Sequence, residues 1–475
     1  MPWQVVPTDC PINPIHAALG RTGKVLFFAG SGNDPTNFQN SSQGSLIFDP
    51  TNNSFSSIIP IPKRPDGSVI DVFCAAHSWR VSGRLLVCGG TLQYDPFFGE
   101  TATFAFDFTS QTWLTASSMN EGRWYPTCVT LANGKVFSIS GYEVNGDLSV
   151  NPEIFSGGSV GWSLFSQTTP GAYPLYAHLF LLDNGKLFYT GAQLGGNNAV
   201  RPSVLTLPAA FNQQITPQVV NGLQQEEFGD QSASVILPPA QDQKIMIIGG
   251  ASNGQATTRT AIVDFKSATP SYVTKAPLAN ARMHHNAVIL PDRTVFVCNG
   301  SRVSEDVNQS NLAPEIYNPA TNTWTVLSND SPTINGRVYH SVALLLPDGK
   351  VLTAGGNPIR GQYQKKVEIY SPPYIAQTRP TIGTVPATIR YNQTITIQTP
   401  QAASIKWAEL VRPMSTTHGL DTDQRLVDLP ITARNASSVT VSVTNNANIA
   451  PPGYYMLFLV NNNNVPSVAT WVLLK

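Results

Sequence analysis

A phenol and an imidazole stand side by side at Tyr339-His340, within Gly336-Arg337-Val338-Tyr339-His340-Ser341, where an apolar run begins. Imidazole nitrogen and phenolate oxygen suit a borderline metal such as copper better than calcium or magnesium, which take carboxylates and carbonyls. A redox metal is therefore the first chemistry to weigh. Against it stands the geometry of a regular strand, in which adjacent side chains point to opposite faces and one of the two rings would face away. The pair needs distant partners, and candidates are thinly spread. Five cysteines (Cys10, Cys74, Cys88, Cys128, Cys298) show no CxxC spacing and no even disulfide framework. Cys88, Cys128 and Cys298 lie in apolar runs and read as small buried residues. One histidine, His418, sits in the polar stretch Thr416-Thr417-His418-Gly419-Leu420-Asp421-Thr422-Asp423-Gln424-Arg425, expected as a loop between strands, where a histidine is ordinarily just exposed.

What must position these residues is legible from composition and repetition. The 475 residues exceed a usual single domain, so two domains or a repeat architecture with an appendage is expected. Lys+Arg and Asp+Glu number 29 each and charged residues are only 12%, which leaves no electrostatic footprint for nucleic acid or an anionic membrane surface, so neither partner is expected. The longest apolar run, Tyr454 to Val460, is strand-sized rather than membrane-spanning. Met1 to Pro7 lacks the basic and apolar regions of an export signal, so the chain reads as cytoplasmic or as a form without its signal. Plentiful Gly, Pro, Asn, Ser and Thr between apolar runs indicate an all-β protein rich in turns.

One pattern recurs seven times, about fifty to sixty residues apart. It is an apolar strand, a turn with Gly or Asp, Lys or Arg, a second apolar strand ending in Gly-Gly or a variant, and a third strand some residues later. The copies are Ala17–Gly30, Ala75–Gly90, Thr127–Gly141, Ala177–Gly191, Ser232–Gly250, Asn286–Gly300 and Ser341–Gly356. Third strands follow in most copies, as at Glu315-Ile316-Tyr317, and aromatic fourth strands in some, as at Thr323-Trp324-Thr325-Val326. Four strands per repeat at this period predict a seven-bladed β-propeller, and the repeats resemble kelch motifs. The seventh copy has no fourth strand of its own before Ser371-Pro372-Pro373, so Trp3-Gln4-Val5-Val6 is expected to complete that blade and close the ring. The propeller is placed at 1–374. Beyond it, short alternating strands between Asn, Pro and Gly turns predict an immunoglobulin-like β-sandwich of the early-set type at 375–475.

Positions just before each repeat's first strand should meet at one end of such a propeller, near its axis. Cys74 precedes the second copy, Tyr125 the third, and Tyr339-His340 the seventh. Strand alternation is not enforced at a strand's start, which weakens the objection to the Tyr-His pair.

Taken together, Cys74, Arg123-Trp124-Tyr125, Arg337-Val338-Tyr339-His340-Ser341 with Leu344 to Gly349, and Thr417-His418 with Thr422-Asp423-Gln424-Arg425 resemble the copper radical oxidases of the galactose oxidase and glyoxal oxidase family, across both expected domains and in order. That resemblance implies copper held by Tyr125, Tyr339, His340 and His418. It also implies a thioether joining Cys74 to Tyr125, a tyrosyl radical on Tyr125, and Tyr339 as general base. The implied reaction oxidises small aldehydes or primary alcohols with O2 and releases H2O2; secretion and a monomeric state are implied as well. In galactose oxidase an indole stacks over the thioether from the turn after the third Gly-Gly; here spacing puts Glu143 in that place, with Trp124 and Tyr142 as alternative shields and pocket residues. Trp124 also favours the glyoxal oxidase branch over the galactose branch. His16, His77, Tyr176, His178, His284 and His285 belong to the same end, each with an ordinary reading as a hydrogen-bonded core residue. The competing reading is a kelch-type carbohydrate- or protein-binding module that keeps a vestigial metal site.

Overall fold

Tight turns after each apolar run fold the chain back on itself into successive antiparallel sheets, and the computed structural model describes them over residues 2–40, 44–64, 66–167, 171–195, 199–329 and 336–475. After an N-terminal strand β1 (Trp3–Val5), seven sheets of four or five strands begin in turn with β2 (His16–Leu19), β3 (Ala76–Trp79), β4 (Thr127–Thr130), β5 (Leu179–Leu181), β6 (Ala233–Ile236), β7 (Met283–Ile289) and β8 (Ser341–Leu345). Every residue of β2 to β8 is buried. Their side chains do not alternate in polarity because both faces of each strand are covered by neighbouring sheets. β3 packs on β4, β4 on β5, β6 on β7, β7 on β8, and β8 on β2. The outermost strands show the opposite pattern: Thr112–Thr115 buries only Trp113, and Thr323–Val326 buries none of its residues fully. Among the described residues one α-helix occurs, the single turn Pro35–Gln39, capped by the Asp34 carboxylate on the Thr36 and Asn37 amides.

The last of these sheets takes its outer strand from the other end of the chain. β1 lies antiparallel to β9 (Val367–Tyr370), with Trp3 opposite Tyr370 and Val5 opposite Glu368. The N-terminal strand is therefore where the missing fourth strand of the seventh repeat was expected.

The C-terminal residues form a five-stranded and a three-stranded sheet. Thr394–Gln398 shows the clean in-out alternation of a strand with one wet face. One segment departs from the expectation of a loop: β10 (Ser415–Thr417) pairs with β2, placing Thr417 opposite His16 and Ser415 opposite Ala18. Its Ser-Thr-Thr sequence carries no apolar period, and its partner lies about four hundred residues upstream, so nothing local announces it. Asp423 clamps the junction, accepting from the Trp79 amide, from the Ser78 and Ser415 hydroxyls and from Arg412. The Gln424 side chain adds hydrogen bonds to both the amide and the carbonyl of Ile289. Val342 and Leu344 share one apolar cluster with Val411, Met414, Met456 and Phe458, so the two parts of the chain have a common core.

Candidate metal centre

The residues just before the first strands have an uncommon backbone. Cys74 (φ +64°), Tyr125 (+63°), Tyr176 (+44°), Gln231 (+57°) and His340 (+63°) are left-handed, as is His284 (+58°) inside β7. A non-glycine residue in that region costs about 1–3 kcal/mol and persists only where its surroundings over-determine it. Here the backbone ties successive positions together: the Tyr125 amide donates to the Cys74 carbonyl (3.0 Å), the Tyr176 amide to the Tyr125 carbonyl (3.0 Å), and the His284 amide to the Gln231 carbonyl (3.2 Å). The same left-handed turn at His340 breaks strand alternation, and Tyr339 and His340 lie with ring centroids 3.8 Å apart, 27° from parallel. The alternation that argued against the pair does not operate there.

Buried ion pairs hold these turns in place. Arg123 reaches the Ser140 carbonyl (2.9 Å) and Glu153 (3.1 Å); Arg282 reaches the Asn299 carbonyl (2.8 Å) and Glu315 (3.1 Å); Arg337 reaches the Gly355 carbonyl (2.8 Å) and Glu368 (2.8 Å). Each arginine stands two residues before Tyr125, His284 or Tyr339. Each glutamate lies on its sheet's third strand, so guanidinium and carboxylate lock turn, glycine corner and strand as one unit. In the sequence these pairs show only as Arg-x-Tyr or Arg-x-His and Glu-Ile-Tyr or Glu-Ile-Phe fragments, without a reason to join them.

The donors converge. Cys74 Sγ and ring nitrogens of His340 and His418 lie within 4.8 Å of one another, all buried. The Tyr125 and Tyr339 hydroxyls are in direct hydrogen-bonding contact. The His418 ring lies 4.9 Å from Tyr125, 5.3 Å from Tyr339 and 4.5 Å from His340, centroid to centroid. Hydrogen bonding decides which nitrogen of each imidazole is free. His340 Nδ1 is 3.1 Å from Asn357 Oδ1, which also accepts from Asn33 while the Asn357 amide nitrogen donates to the Ile359 and Gln362 carbonyls. That oxygen can only accept, so His340 Nδ1 carries the proton and Nε2 the lone pair. His418 Nδ1 is 2.6 Å from Thr417 Oγ1, whose own hydrogen goes to the Ile15 carbonyl (3.0 Å), so His418 likewise presents its Nε2 lone pair. Both Nε2 atoms are buried without a hydrogen-bond partner. An unsatisfied buried nitrogen costs about 1–3 kcal/mol; a metal ion would relieve both. Two imidazole lone pairs and two phenols form a donor set that fits copper.

Burial keeps every one of these groups neutral in the protein alone. It lowers His340 to about 3 and His418 well below its ordinary value, and raises Cys74, Tyr125 and Tyr339 well above theirs, with mutual repulsion adding to the rise of Tyr125. A bound cation reverses that balance for the phenols.

Tyr125 is layered in a stack of rings: Trp124 at 3.8 Å and 17° on one side, Tyr176 at 4.6 Å and 30°, with Phe97 stacked on Trp124 at 4.4 Å and 12°. Tyr142 lies near-parallel to Trp124 at 5.7 Å and exchanges two backbone hydrogen bonds with it. Trp124 is thus the ring against Tyr125, and Tyr142 stands behind it. A cavity of about 800 Å³ opens over Tyr125 and Tyr339, lined by Phe97, Trp124 and Tyr142 and also by Gln231 and Glu305. Glu143 is not among its lining residues; it is half-buried among Glu121, Arg123 and Asp147. Of the remaining histidines, His284 packs against Tyr339 (5.3 Å), His16 Nδ1 meets His77 Nε2 (3.3 Å), and His178 pairs with Ser234 (2.8 Å). His285 is buried with both ring nitrogens unpartnered. Gln231 and Glu305 were not anticipated: Gln231 occupies the repeat position of Tyr125 and His340, which aligning the repeats would have exposed, whereas Glu305 lies in an irregular loop with no periodic signal.

The profile described as glyoxal oxidase N-terminus matches residues 44–374, and that of the galactose oxidase-like early set domain matches 379–474. The galactose oxidase of Gibberella zeae is 28% identical, over 98% of this chain and 69% of its own. An aldehyde oxidase of Vitis pseudoreticulata is 26% identical, over 99% of this chain and 97% of its own. A fungal alcohol oxidase of the AA5 family, solved in complex with copper, superposes with a TM-score of 0.83 over 98% of both chains at 24% identity.

Proposed function

Because the chain belongs to the glyoxal oxidase family and carries a galactose oxidase-like early set domain, we propose that it is a copper radical oxidase converting small aldehydes or primary alcohols with O2 to the next oxidation level and H2O2. The observation that carries this is the convergence of two phenols, one thiol and two imidazoles whose Nε2 lone pairs are buried and unpartnered. In this reading the seven sheets are the blades of a propeller over 1–374, closed by the pairing of β1 with β9, and 375–475 is an immunoglobulin-like sandwich lending His418 through β10. The protein acts as a monomer on small molecules, with no nucleic-acid or membrane partner.

Tyr125, Tyr339, His340 and His418 hold the copper. When bound, the ion supplies a one-electron redox couple and the positive charge that keeps a phenolate ionised. Oxidation of an alcohol or a hydrated aldehyde removes two electrons and two protons, so a second one-electron store is needed. Tyr125 provides it: a thioether to Cys74 forms by loss of the thiol hydrogen and one ring hydrogen, with O2 taking both electrons and both protons, and the sulfur spreads the unpaired spin. Trp124 and Tyr176 cover the two faces of that ring and keep water from it. Tyr339, open to the cavity, takes the hydroxyl proton at its Oη as general base. The aromatic wall favours small aldehydes and unsubstituted alcohols over a fully hydroxylated sugar. A retained module without turnover has no need for this complete, strained donor set. The test is aerobic peroxide release by copper-loaded protein from methylglyoxal, glyoxal, benzyl alcohol and galactose; stoichiometric copper without turnover on a wide aldehyde and alcohol panel would refute the proposal.

A further inference from the structure

Two thiols meet between sheets that the metal centre does not use them to join. Cys88 ends the strand Leu85–Cys88, opposite Ala76 on one side and Thr103 on the other, whereas Cys128 lies in β4 opposite Ser138. They are forty residues apart in the chain and on neighbouring sheets, yet their sulfurs are 3.2 Å apart. That is about 1 Å beyond the length of a disulfide bond. Both are buried in one apolar cluster with Ala76, Met119, Val136, Phe155 and Trp162. All five cysteines are free thiols, and among the described residues no other two cysteine sulfurs are in hydrogen-bonding contact. From sequence each reads as a small buried residue; only the packing of the second sheet on the third brings them together.

We propose that Cys88 and Cys128 are a modification site, a dithiol that hydrogen peroxide closes into a disulfide stapling the second sheet to the third. One sulfur attacks a peroxide oxygen, the O–O bond breaks, and a sulfenic acid forms as the first water leaves with the thiol proton. The neighbouring thiol then attacks the sulfenic sulfur, the S–S bond forms and the second water leaves. Two thiols thus lose two electrons and two protons, and one H2O2 becomes two H2O. Because the second thiol is already in contact, the sulfenic acid is captured before it oxidises further; Cys10 and Cys298 have no such partner. Contact with Cys128, then burial, holds the Cys88 thiol protonated well above its ordinary range, so the pair oxidises slowly, over many turnovers. The oxidase reading above makes the oxidant on the spot. The staple would brace the two sheets that present Cys74 and Tyr125. Cys128 follows Tyr125 by three residues and its carbonyl accepts from the Thr422 hydroxyl (2.5 Å); Gly90, two residues after Cys88, donates its amide to the Arg123 carbonyl (2.9 Å).

The test exposes the folded, metal-free natural protein to H2O2, quenches with an alkylating agent and maps the peptides by mass. A linked peptide pair carrying Cys88 and Cys128 should accumulate, two hydrogens lighter than the separate peptides, and dithiothreitol should restore both, which it cannot do for a thioether. Mapping the natural protein makes the result independent of whether variants fold. Cys88→Ala and Cys128→Ala should yield no linked pair, and Cys298→Ala should yield it undiminished. The melting temperature of the oxidised protein should rise by several degrees and fall back on reduction, as expected when a loop of this length is closed, with no such response in Cys88→Ala. Thiols that stay alkylatable after prolonged exposure, or sulfinic acid at either cysteine without a linked pair, overturn the proposal. In the copper-loaded protein, the same pair should appear during turnover and be suppressed by catalase. A pair that forms with added peroxide but never during incubation with aldehydes and alcohols counts against the oxidase reading and leaves the modification site standing.

Discussion

The Thr417 hydroxyl fixes the His418 imidazole: it accepts from Nδ1 at 2.6 Å and passes its own hydrogen to the Ile15 carbonyl at 3.0 Å. One side chain thus selects the tautomer and anchors the ring to the start of β2.

Replacing Thr417 with Val keeps the shape and removes the acceptor. Partners that orient a ligand imidazole are worth roughly tenfold to a hundredfold in metal affinity. Copper affinity of Thr417→Val, measured by competition with a chelator of known strength, should fall by that order; an unchanged affinity would show that the hydroxyl does not orient the ligand.

Cys74 makes a prediction readable by mass. The copper-matured protein should weigh two hydrogens less than its sequence and run anomalously on a denaturing gel, and Cys74→Ser should show neither effect. Turnover of Cys74→Ser should fall by about a hundredfold or more, as expected when a group acting only in the reacting state is lost. A natural protein at full sequence mass after aerobic copper loading contradicts the thioether.

Arg337 and Glu368 sit at 2% and 7% side-chain exposure, 2.8 Å apart, behind Tyr339-His340. Arg337→Met removes the guanidinium from a buried carboxylate and should cost about 3–5 kcal/mol of stability, as removal of one partner of a buried pair does. Denaturant unfolding of the metal-free protein reads that loss. Glu368→Gln, which keeps a hydrogen-bond acceptor, should lose clearly less; equal losses would mean charge pairing is not what holds the turn.

Stability of the metal-free protein should peak near neutrality. His77, His178, His284, His285 and His340 are lowered to about 3 by burial, so below their ordinary value near 6.5 the unfolded chain binds protons that the folded one does not, and stability falls as pH drops through that window. Glu409 and Asp421 are raised to about 8, first by burial, so the folded protein holds protons the unfolded chain has released. Their contribution is lost as pH rises toward about 8. Melting temperature measured from pH 5 to 9 should therefore pass through a maximum at about pH 6 to 7; a steady rise to pH 9 would contradict the carboxyl assignment.

The parts legible from sequence were those tied to the repeat. Cys74, Tyr125 and Tyr339-His340 share a register relative to an apolar strand, and register survives in sequence because burial enforces it. The Trp3–Val5 pairing was legible for the same reason, as a fourth strand missing from one copy. Where the structure departs, no periodic property carries the information. β10 is a polar tripeptide recruited by a strand edge four hundred residues away, and Glu305 comes from a loop whose shape is set by its surroundings. Glu143 shows the limit of counting along the chain: spacing alone set it in the place of a stacking ring, whereas the turn leaves it outside the cavity lining and Trp124 supplies the ring from the preceding segment.

β10 also sets an order of events during synthesis. A ribosome makes residues 1–374 first, and that stretch contains every proposed donor except His418. The incomplete set emerges with β2 still lacking its edge partner, so copper captured then would be weakly held. Only when Ser415–Thr417 has been translated and has docked on β2 does the last imidazole arrive. The donor set is therefore completed across the two ends of the chain, by a segment that reaches its place only through pairing with β2.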